Sequence, residues 1–231
     1  MMKKGIRNLF SEVSDTYELV NHVLTFGLDI LWRRKAAKVA ALEGGKRWID
    51  VCSGTSEMAV YLNRLAKGDT MVFAADFSIP MIGKATVKKE AHQISFIIAD
   101  VNALPFREGT FDLLTVSFAT RNINISRDIL LQCFRGFHRI LRPGGRFVNL
   151  ETSQPTSRLI RRLFHLYVRI TVKPLGYFIS GSRVGYAYLS HTIPLFYDAE
   201  DLADIMGQAG FLKVSYHPMM FGAVAIHKAV K

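Results

Sequence analysis

The sequence predicts an α/β fold built on a mostly parallel sheet. Between residues 46 and 151, apolar strand-like runs alternate regularly with segments of helical periodicity. Such alternation favours right-handed crossover connections and therefore parallel strands. The first four runs also end on polar residues, at Asp50, Asp76, Asp100 and Ser117. Because the carboxyl ends of parallel strands meet at one edge of the sheet, these residues predict a binding site there.

The first strand leads into a turn that presents main-chain groups. Residues 48–57 read WIDVCSGTSE, an apolar run that closes on Asp50 and is followed by small residues and a helical segment. Such a turn places backbone N–H groups where a ligand can approach the main chain closely. Asp76 ends the next predicted strand, over residues 70–75, about 20 residues beyond the turn, where nucleotide-binding βαβ units carry a ribose-accepting acid.

The remaining elements of the predicted core follow in order. Further strands are expected over 94–99, 111–117 and 146–151, and helices over 127–141 and 199–209. The sequence Arg142-Pro-Gly-Gly145 is expected to end the first of these helices. The C-terminal part, residues 198–231, adds a hairpin with strands at 212–216 and 221–227, which would form an antiparallel edge.

Residues 1–45 predict a helical cap in front of the sheet. Helical segments are expected over 10–17, 21–28 and 32–38, broken at residues 25–27. Tyr17, Leu24 and Trp32 are interpreted as packing residues. A helical segment in this position often covers the mouth of the binding site, and Gly44-Gly45 marks the boundary to the sheet.

The composition is globular with an excess of positive charge. Of 231 residues, 49% are hydrophobic and 21% are charged, so one domain with a full core is the economical interpretation. The 30 basic residues outnumber the 19 acidic ones and give a net charge of +11. This charge suits an anionic partner, either a nucleic acid or an anionic membrane surface.

Two further patterns concern compartment and metal binding. Cys52 and Cys133 fall in separate predicted elements without metal-ligand spacing. They predict a reducing compartment, no zinc or other metal site and no cysteine nucleophile. No apolar run is long enough to span a bilayer, and the N-terminus lacks a secretion signal, so a cytoplasmic location is expected.

Residues 152–197 predict an insertion of different character. The span contains no Asp or Glu, and its basic residues, interleaved with apolar ones, are Arg158, Arg161, Arg162, Arg169, Lys173 and Arg183. The pattern predicts an amphipathic basic helix followed by a Gly/Ser-containing, aromatic-rich segment over 176–188. Such a helix can lie on anionic lipid. Alternatively, its apolar face packs on the domain and its arginines are merely solvated.

Several motifs together resemble one family. They are Tyr17-Glu-Leu-Val-Asn21, Thr25-Phe-Gly27, Trp32-Arg33, the turn at 50–57, Ala75-Asp76 with Met81, Ala103-Leu-Pro-Phe106 through Phe111-Asp112, Ser117-Phe-Ala-Thr-Arg-Asn122 and Leu141-Arg-Pro-Gly-Gly-Arg146. Over nearly its whole length the chain resembles the ubiquinone/menaquinone biosynthesis C-methyltransferases, which use S-adenosyl-L-methionine (SAM) to methylate a polyprenylated quinol ring. The resemblance implies a Rossmann-like class I fold, with a mostly parallel seven-stranded sheet, an antiparallel edge strand, the helical cap and a helical insertion before the last strands.

The resemblance also implies roles for individual residues. The SAM contacts carried over are Thr55, Asp76, Asp100, Val101 and Ser117, with Asp50 and Gly54 shaping the turn. Arg121 and Asn122 match the family's proposed catalytic pair, and Tyr188 and His22 are assigned to the substrate side. Arg121 would favour the phenolate form of the quinol, because a fixed cation lowers the pKa of a nearby hydroxyl. Asp100 or a water-linked His22 would accept the proton.

The chain departs from the family's motifs at several positions. Ser53 and Ser56 replace glycines, Glu57 replaces an aspartate and Cys52 an alanine in the turn, Ala119 replaces a glycine before Arg121, and His22 replaces an acid. If Ser56 must adopt a positive φ, the strain is about 1 kcal/mol. These departures leave open a different substrate or weakened activity.

Other functions compete with quinol methylation. One is methylation of another lipid-soluble aromatic compound, and a second is a catalytically weak SAM-binding scaffold in quinone biosynthesis. A nucleic-acid partner is not expected, because the fourth strand ends in Ser117-Phe-Ala-Thr rather than the Asn/Asp-Pro-Pro-aromatic loop of amino methylation. The expected partners are a prenylated quinol and an anionic membrane surface. The sequence leaves the oligomeric state open, with a homodimer or a quinone-biosynthesis complex as the alternatives.

Overall fold

The sheet contains every strand that the sequence predicts. A computed structural model describes residues 14–231, and the part of the predicted first helix before residue 14 lies outside the described residues. The strands are β1 (Arg47–Val51), β2 (Met71–Asp76), β3 (Ile94–Ile98), β4 (Phe111–Ser117), β5 (Leu141–Thr152), β6 (Leu212–Met219) and β7 (Val224–Val230).

The strand order is β3-β2-β1-β4-β5-β7-β6. The first five strands are mutually parallel, and β7 pairs antiparallel with both β5 and β6. The predicted seven-stranded, mostly parallel sheet is confirmed, as is its antiparallel edge. The edge arises because the C-terminal hairpin inserts β7 between β5 and the outermost strand β6.

Helices cover both faces of the sheet and one end of it. They are α1 (Tyr17–Leu24), α2 (Leu28–Ala41), α3 (Glu57–Leu65), α4 (Ile79–Thr86), α5 (Thr120–Ile123), α6 (Arg127–Ile140), α7 (Arg158–Ser180), α8 (Arg183–Thr192) and α9 (Ala199–Gln208). The predicted break between α1 and α2 is present, and Gly27 adopts a φ of 74° there. This left-handed conformation is one that glycine adopts without a Cβ penalty.

The predicted helical insertion is present, and one expected strand boundary was wrong. The Gly/Ser-containing, aromatic-rich segment over 176–188 is mostly helical, because α7 continues to Ser180 and α8 begins three residues later. Packing between the two helices outweighs the low helix propensity of their glycines. The Arg142-Pro-Gly-Gly145 sequence lies within β5 rather than before it, and a register shift against β4 accommodates it.

Two apolar clusters on opposite faces of the sheet form the main core. Neighbouring residues of β4, Leu113 and Leu114, belong to different clusters because strand side chains alternate between faces. On one face, Phe137 of α6 packs edge-on against Phe147 of β5, with ring centroids 5.3 Å apart. One face of α6 therefore packs on the sheet.

A third cluster joins the N-terminal helix to the insertion. Val20 of α1, Val168 and Val172 of α7 and Tyr186 of α8 are buried together, and Tyr17 and Leu24 pack against them. Trp32 packs instead against the cluster under α2 and α3. All three predicted packing residues therefore contact a core.

The crossing of α7 and α8 depends on one glycine. A Cβ built on Gly176 would lie 2.1 Å from Cγ of Tyr186, so only glycine lets the two backbones approach this closely. Although α7 is 23 residues long, none of the helices within residues 14–231 is long and apolar enough to cross a membrane.

Candidate active site

Three alternate residues of the turn after β1 adopt the left-handed conformation. Cys52, Gly54 and Ser56 have φ values of 56°, 55° and 64°. The positive φ expected for Ser56 is therefore present, and its strain of about 1 kcal/mol applies. Ser53 adopts no such conformation, and its Oγ lies 3.3 Å from Oγ of Ser56. Only one of the two serines that replace family glycines is therefore strained.

This turn borders a cavity of about 550 Å³ at the carboxyl edge of the sheet. A volume of this order is typical of cofactor and small-molecule sites. Most of the predicted site residues line it, namely Gly54, Thr55, Asp76, Asp100, Val101, Ser117 and Asn122. The sequence prediction that four strand ends form one site corresponds to this arrangement.

Asp76 is anchored in the cavity wall by two backbone N–H groups. Its Oδ2 accepts a hydrogen bond from the backbone N–H of Gly54 at 2.8 Å, and its Oδ1 accepts one from Ser78, also at 2.8 Å. Burial raises the pKa of this carboxyl, and the backbone donors oppose the rise. Each carboxylate oxygen has a second lone pair for a ligand hydroxyl.

Asp50 shapes the turn from below and does not line the cavity. It is only 1% exposed, and its Oδ1 accepts a hydrogen bond from Oγ1 of Thr115 at 2.6 Å. Burial raises the pKa of Asp50 to about 7, and the Thr115 hydroxyl opposes this rise. The Cys52 thiol nearby lines the cavity, and burial raises its pKa well above the usual value.

The predicted catalytic pair is divided between two environments. Asn122 lines the cavity, and its buried Oδ1 has no hydrogen-bond partner among the described residues. Arg121 lies behind the wall, where its Nη1 donates to Oγ1 of Thr192 at 2.6 Å and its backbone N–H donates to Glu151. Its charge still reaches the cavity, because it opposes the burial that raises the pKa of Tyr17.

Tyr188 lies beside Arg121 rather than in the cavity wall. Burial raises its pKa, while Arg121 acts to lower it and Glu151 to raise it. The assignment of Tyr188 to the substrate side therefore remains a prediction, and the structure places it next to Arg121.

The second predicted substrate residue, His22, is engaged in an ion cluster outside the cavity lining. Its Nδ1 lies 2.9 Å from Oδ2 of Asp29 and its Nε2 lies 3.6 Å from Oε1 of Glu57. These three side chains bring potential metal ligands within 4.8 Å of one another. Arg33 already contacts both carboxylates, which makes a second cation less favourable there.

Several cavity residues were missed by the sequence prediction. Arg33, Glu57 and Phe118 line the cavity, and Tyr17, which was interpreted only as a packing residue, also lines it. The Trp32-Arg33 motif was a signal for Arg33, but nothing in its spacing showed that α2 would turn this side chain towards the turn after β1.

Solved structures share this fold. A SAM-dependent methyltransferase from Thermotoga maritima superposes with a TM-score of 0.67 at 18% identity, covering 97% of this chain and 99% of the other. Another from Aquifex aeolicus gives a TM-score of 0.58 at 15% identity, covering 84% and 88%. The chain therefore has the fold of the class I SAM-dependent methyltransferases.

The chain belongs to the ubiE/COQ5 methyltransferase family, whose model matches residues 1–231. A demethylmenaquinone methyltransferase from Thermus thermophilus is 37% identical over 221 residues, which are 95% of this chain and 98% of that protein. A ubiquinone/menaquinone biosynthesis C-methyltransferase from Desulfotalea psychrophila is 33% identical over 227 residues, 98% of this chain and 90% of the relative. The family indicated by the sequence motifs is confirmed.

S-adenosyl-L-methionine is the cofactor of this family's chemistry, and the cavity fits it. Asp76 presents a carboxylate for the ribose hydroxyls, and Asp100 and Val101 lie at the neighbouring strand end. The unpartnered Oδ1 of Asn122 provides an unused acceptor in the wall. The cofactor predicted from the sequence is therefore supported by both the family and the residues.

Proposed function

We propose that the protein methylates a ring carbon of a polyprenylated quinol, either demethylmenaquinol or the benzoquinol of the ubiquinone pathway. The relatives' names support this substrate class. The observation that carries the proposal is the Arg121–Asn122 pair. It provides a buried cation and an unsatisfied amide oxygen between the cofactor cavity and the helical insertion.

The pair suits the activation of a phenolic ring. When bound, SAM would supply an electrophilic methyl group to the nucleophilic ring carbon: the sulfur–methyl bond breaks, S-adenosylhomocysteine leaves, and the ring carbon loses its proton to restore the aromatic quinol. A phenol has a pKa of about 10, and its neighbouring carbon is a good nucleophile only after deprotonation. The buried Arg121 stabilises the phenolate electrostatically, and Oδ1 of Asn122 accepts a hydrogen bond from the hydroxyl or from water.

Arg121 does not itself take the proton, because a guanidinium stays charged above pH 12 or so. Of the two acceptors considered, Asp100 lies in the cavity wall, whereas His22 is occupied by Asp29 and Glu57. Asp100 is therefore the better-placed acceptor for a proton relayed through water.

The exposed face of α7 supports a peripheral position on the cytoplasmic face of a membrane. Its apolar residues, each more than half exposed, are Leu159, Leu163, Leu166 and Ile170. Exposed cations lie among them at Arg158, Arg162, Arg169 and Lys173. Apolar side chains flanked by cations bind anionic bilayers, because the apolar groups enter the acyl boundary and the cations attract the anionic head groups. Because a polyprenyl tail keeps a quinol in the bilayer, we infer that α7 holds the substrate entrance against the lipid.

A methyltransferase assay with direct product detection tests the proposed reaction. Purified protein is incubated with SAM and chemically reduced demethylmenaquinone or its benzoquinol analogue in detergent, and the methylated product is measured. We expect turnover with at least one quinol, and a loss of about a hundredfold or more in Arg121→Lys, since a point charge replaces the guanidinium. S-adenosylhomocysteine affinity should be unchanged in this variant, because Arg121 lies outside the cofactor cavity.

The same assay separates the alternatives. Cofactor binding without methylation of either quinol would favour the scaffold function, for which the strained Ser56 is the supporting observation. Methylation of a prenyl-free aromatic in preference to both quinols would favour a different lipid-soluble substrate.

A further inference from the structure

An ion pair lines one end of the cofactor cavity. Arg33 of α2 and Glu57, the first residue of α3, both contribute to the wall, and Nη2 of Arg33 lies 3.4 Å from Oε2 of Glu57. Charge-assisted hydrogen bonds are shorter, at about 2.7–2.9 Å. The Arg33–Glu57 contact is therefore longer than a charge-assisted hydrogen bond, which leaves both side chains able to hydrogen-bond to a ligand.

Asp29 fixes the arginine from behind. Nη1 of Arg33 donates to Oδ2 of Asp29 at 2.5 Å, and Asp29 also accepts a hydrogen bond from Oγ1 of Thr25 at 2.8 Å. The guanidinium also lies over the ring of Phe118, 5.1 Å from its centroid. With one edge held by Asp29 and one face stacked, the orientation of Arg33 towards the cavity is set before any ligand arrives.

The carboxylate of Glu57 lacks comparable support. Within residues 14–231 it receives no hydrogen bond, and its contacts with Arg33 and His22 are 3.4 and 3.6 Å long. Burial raises its pKa above the usual value, although Arg33 acts in the opposite direction. A partly buried carboxylate with few hydrogen bonds is poorly satisfied, and a ligand cation in the cavity would supply the missing hydrogen bonds.

The order of the strand ends fixes which part of the cofactor meets this pair. Along the cavity, Asp100 follows β3, Asp76 follows β2, the turn follows β1 and Phe118 follows β4. SAM carries its groups in the linear order adenine, ribose, sulfonium and amino acid. With the ribose on Asp76 and the adenine towards Asp100, the amino-acid end extends past the turn to Arg33.

We propose that Arg33 and Glu57 form the subsite for the amino-acid end of SAM, in which Arg33 binds the carboxylate and Glu57 binds the ammonium group. A zwitterion and a wall that carries one cation and one anion are complementary. The proposal concerns the cofactor alone, so it is independent of the quinol substrate.

Titration calorimetry with three ligands tests both halves of this subsite. S-adenosylhomocysteine carries both amino-acid charges, decarboxylated SAM carries only the ammonium group, and 5′-methylthioadenosine carries neither. We expect Glu57→Gln to weaken the first two ligands about tenfold or more and to leave 5′-methylthioadenosine within about twofold of the unmodified protein. Arg33→Lys should weaken only S-adenosylhomocysteine, because a lysine can pair with Asp29 but loses the second donor.

A matched control and a folding check complete the experiment. Asp76→Asn, at the ribose end, should weaken all three ligands by a similar factor. Thermal unfolding establishes that each variant is folded, and if Arg33→Lys is not, Glu57→Gln decides the question alone. The proposal is overturned if the folded variants bind S-adenosylhomocysteine normally. It is equally overturned if they lose S-adenosylhomocysteine and 5′-methylthioadenosine to the same extent, because the pair would then only shape the cavity.

Discussion

The carboxylate of Asp76 accepts a hydrogen bond from the backbone N–H of Gly54 at 2.8 Å, which ties the end of β2 to the turn after β1. Two neighbouring strands thereby share one anchor at the edge of the sheet. Gly54 has a φ of 55°, and this left-handed conformation accompanies the orientation of its N–H towards the acid. The acid and the turn therefore act as one unit in the cofactor site.

Removing this acid should abolish tight cofactor binding. We expect Asp76→Ala to weaken S-adenosylhomocysteine roughly a hundredfold, because hydrogen bonds from two ribose hydroxyls to a charged group are lost. Titration calorimetry measures the effect. Asp69→Ala, which removes an exposed aspartate after α3, is the matched control and should bind normally. Normal binding by Asp76→Ala would show that the ligand does not use the end of β2.

The two serines of the turn should respond differently to glycine. Ser56→Gly relieves a positive φ and should raise the free energy of unfolding by about 1 kcal/mol, with a rise in Tm of about 2–4 °C. Ser53→Gly relieves no strain and should lower stability by about 0.5–1 kcal/mol. Both variants lose the same contact between the two hydroxyls, so it cancels in the comparison. Urea unfolding of the pair gives the difference, and equal stabilities would contradict the strain argument.

Asp50 should make the protein less stable as the pH rises. Burial raises its pKa from 3.8 to about 7, so between these values the folded state keeps a proton that the unfolded chain has released. Stability then falls with increasing pH, by about 2 kcal/mol between pH 5 and 7, and levels off above pH 7. Asp50→Asn cannot ionise and should lack this contribution.

Urea unfolding at several pH values checks this dependence as a difference between variant and unmodified protein. Taking the difference removes the effect of other buried groups, including His227, whose pKa burial lowers to about 4. Asp69→Asn serves as the control and should follow the unmodified protein over this range. Parallel curves for Asp50→Asn and the unmodified protein would mean that Asp50 is ionised throughout.

Charge reversal on α7 should release the protein from anionic vesicles. Replacing Arg158, Arg162 and Arg169 with glutamate should weaken binding to phosphatidylcholine vesicles containing phosphatidylglycerol by roughly a hundredfold or more. Arg161 is not included, because its Nε donates to the carbonyl of Pro155 at 2.7 Å. Flotation or sedimentation with the vesicles provides the measurement.

A control variant with the same change in net charge tests whether the loss of vesicle binding depends on the position of the charges on α7. Glutamate at the exposed positions Lys38, Lys67 and Arg135, on other elements, alters the net charge equally. We expect a much smaller loss of vesicle binding from this control. Equal losses from the two triple variants would mean that net charge, and not the face of α7, drives any attraction to lipid.

The sheet was predictable because its signals are local. The strand over 111–117 was predicted with the bounds that it has. Its apolar run lies between a turn and polar residues, and this pattern is typical of a buried strand. The positive φ of Ser56 followed from the glycine that the family's motif places there. Both inferences depend on residues adjacent in the chain, and the same is true of the site residues at strand ends.

The cavity wall was less predictable because it depends on packing between distant segments. Arg33 and Glu57 are 24 positions apart and meet only after α2 has packed beside α3. Likewise, the sequence did not show where α7 ends within the glycine-containing segment over 176–188, and the helix continues through Gly176 to Gly181, which adopts a φ of 73°. Local propensity could not show that contact with α8 would keep the first glycine helical.

The close contact between Gly176 and Tyr186 constrains how the chain can drift in sequence. A methyl group at position 176 would displace α8, and with it the Thr192 hydroxyl that holds Arg121. The exposed side of α7 can exchange one residue for another at little structural cost. The buried crossing cannot, so a position that touches no ligand is expected to be as intolerant of replacement as the proposed catalytic pair itself.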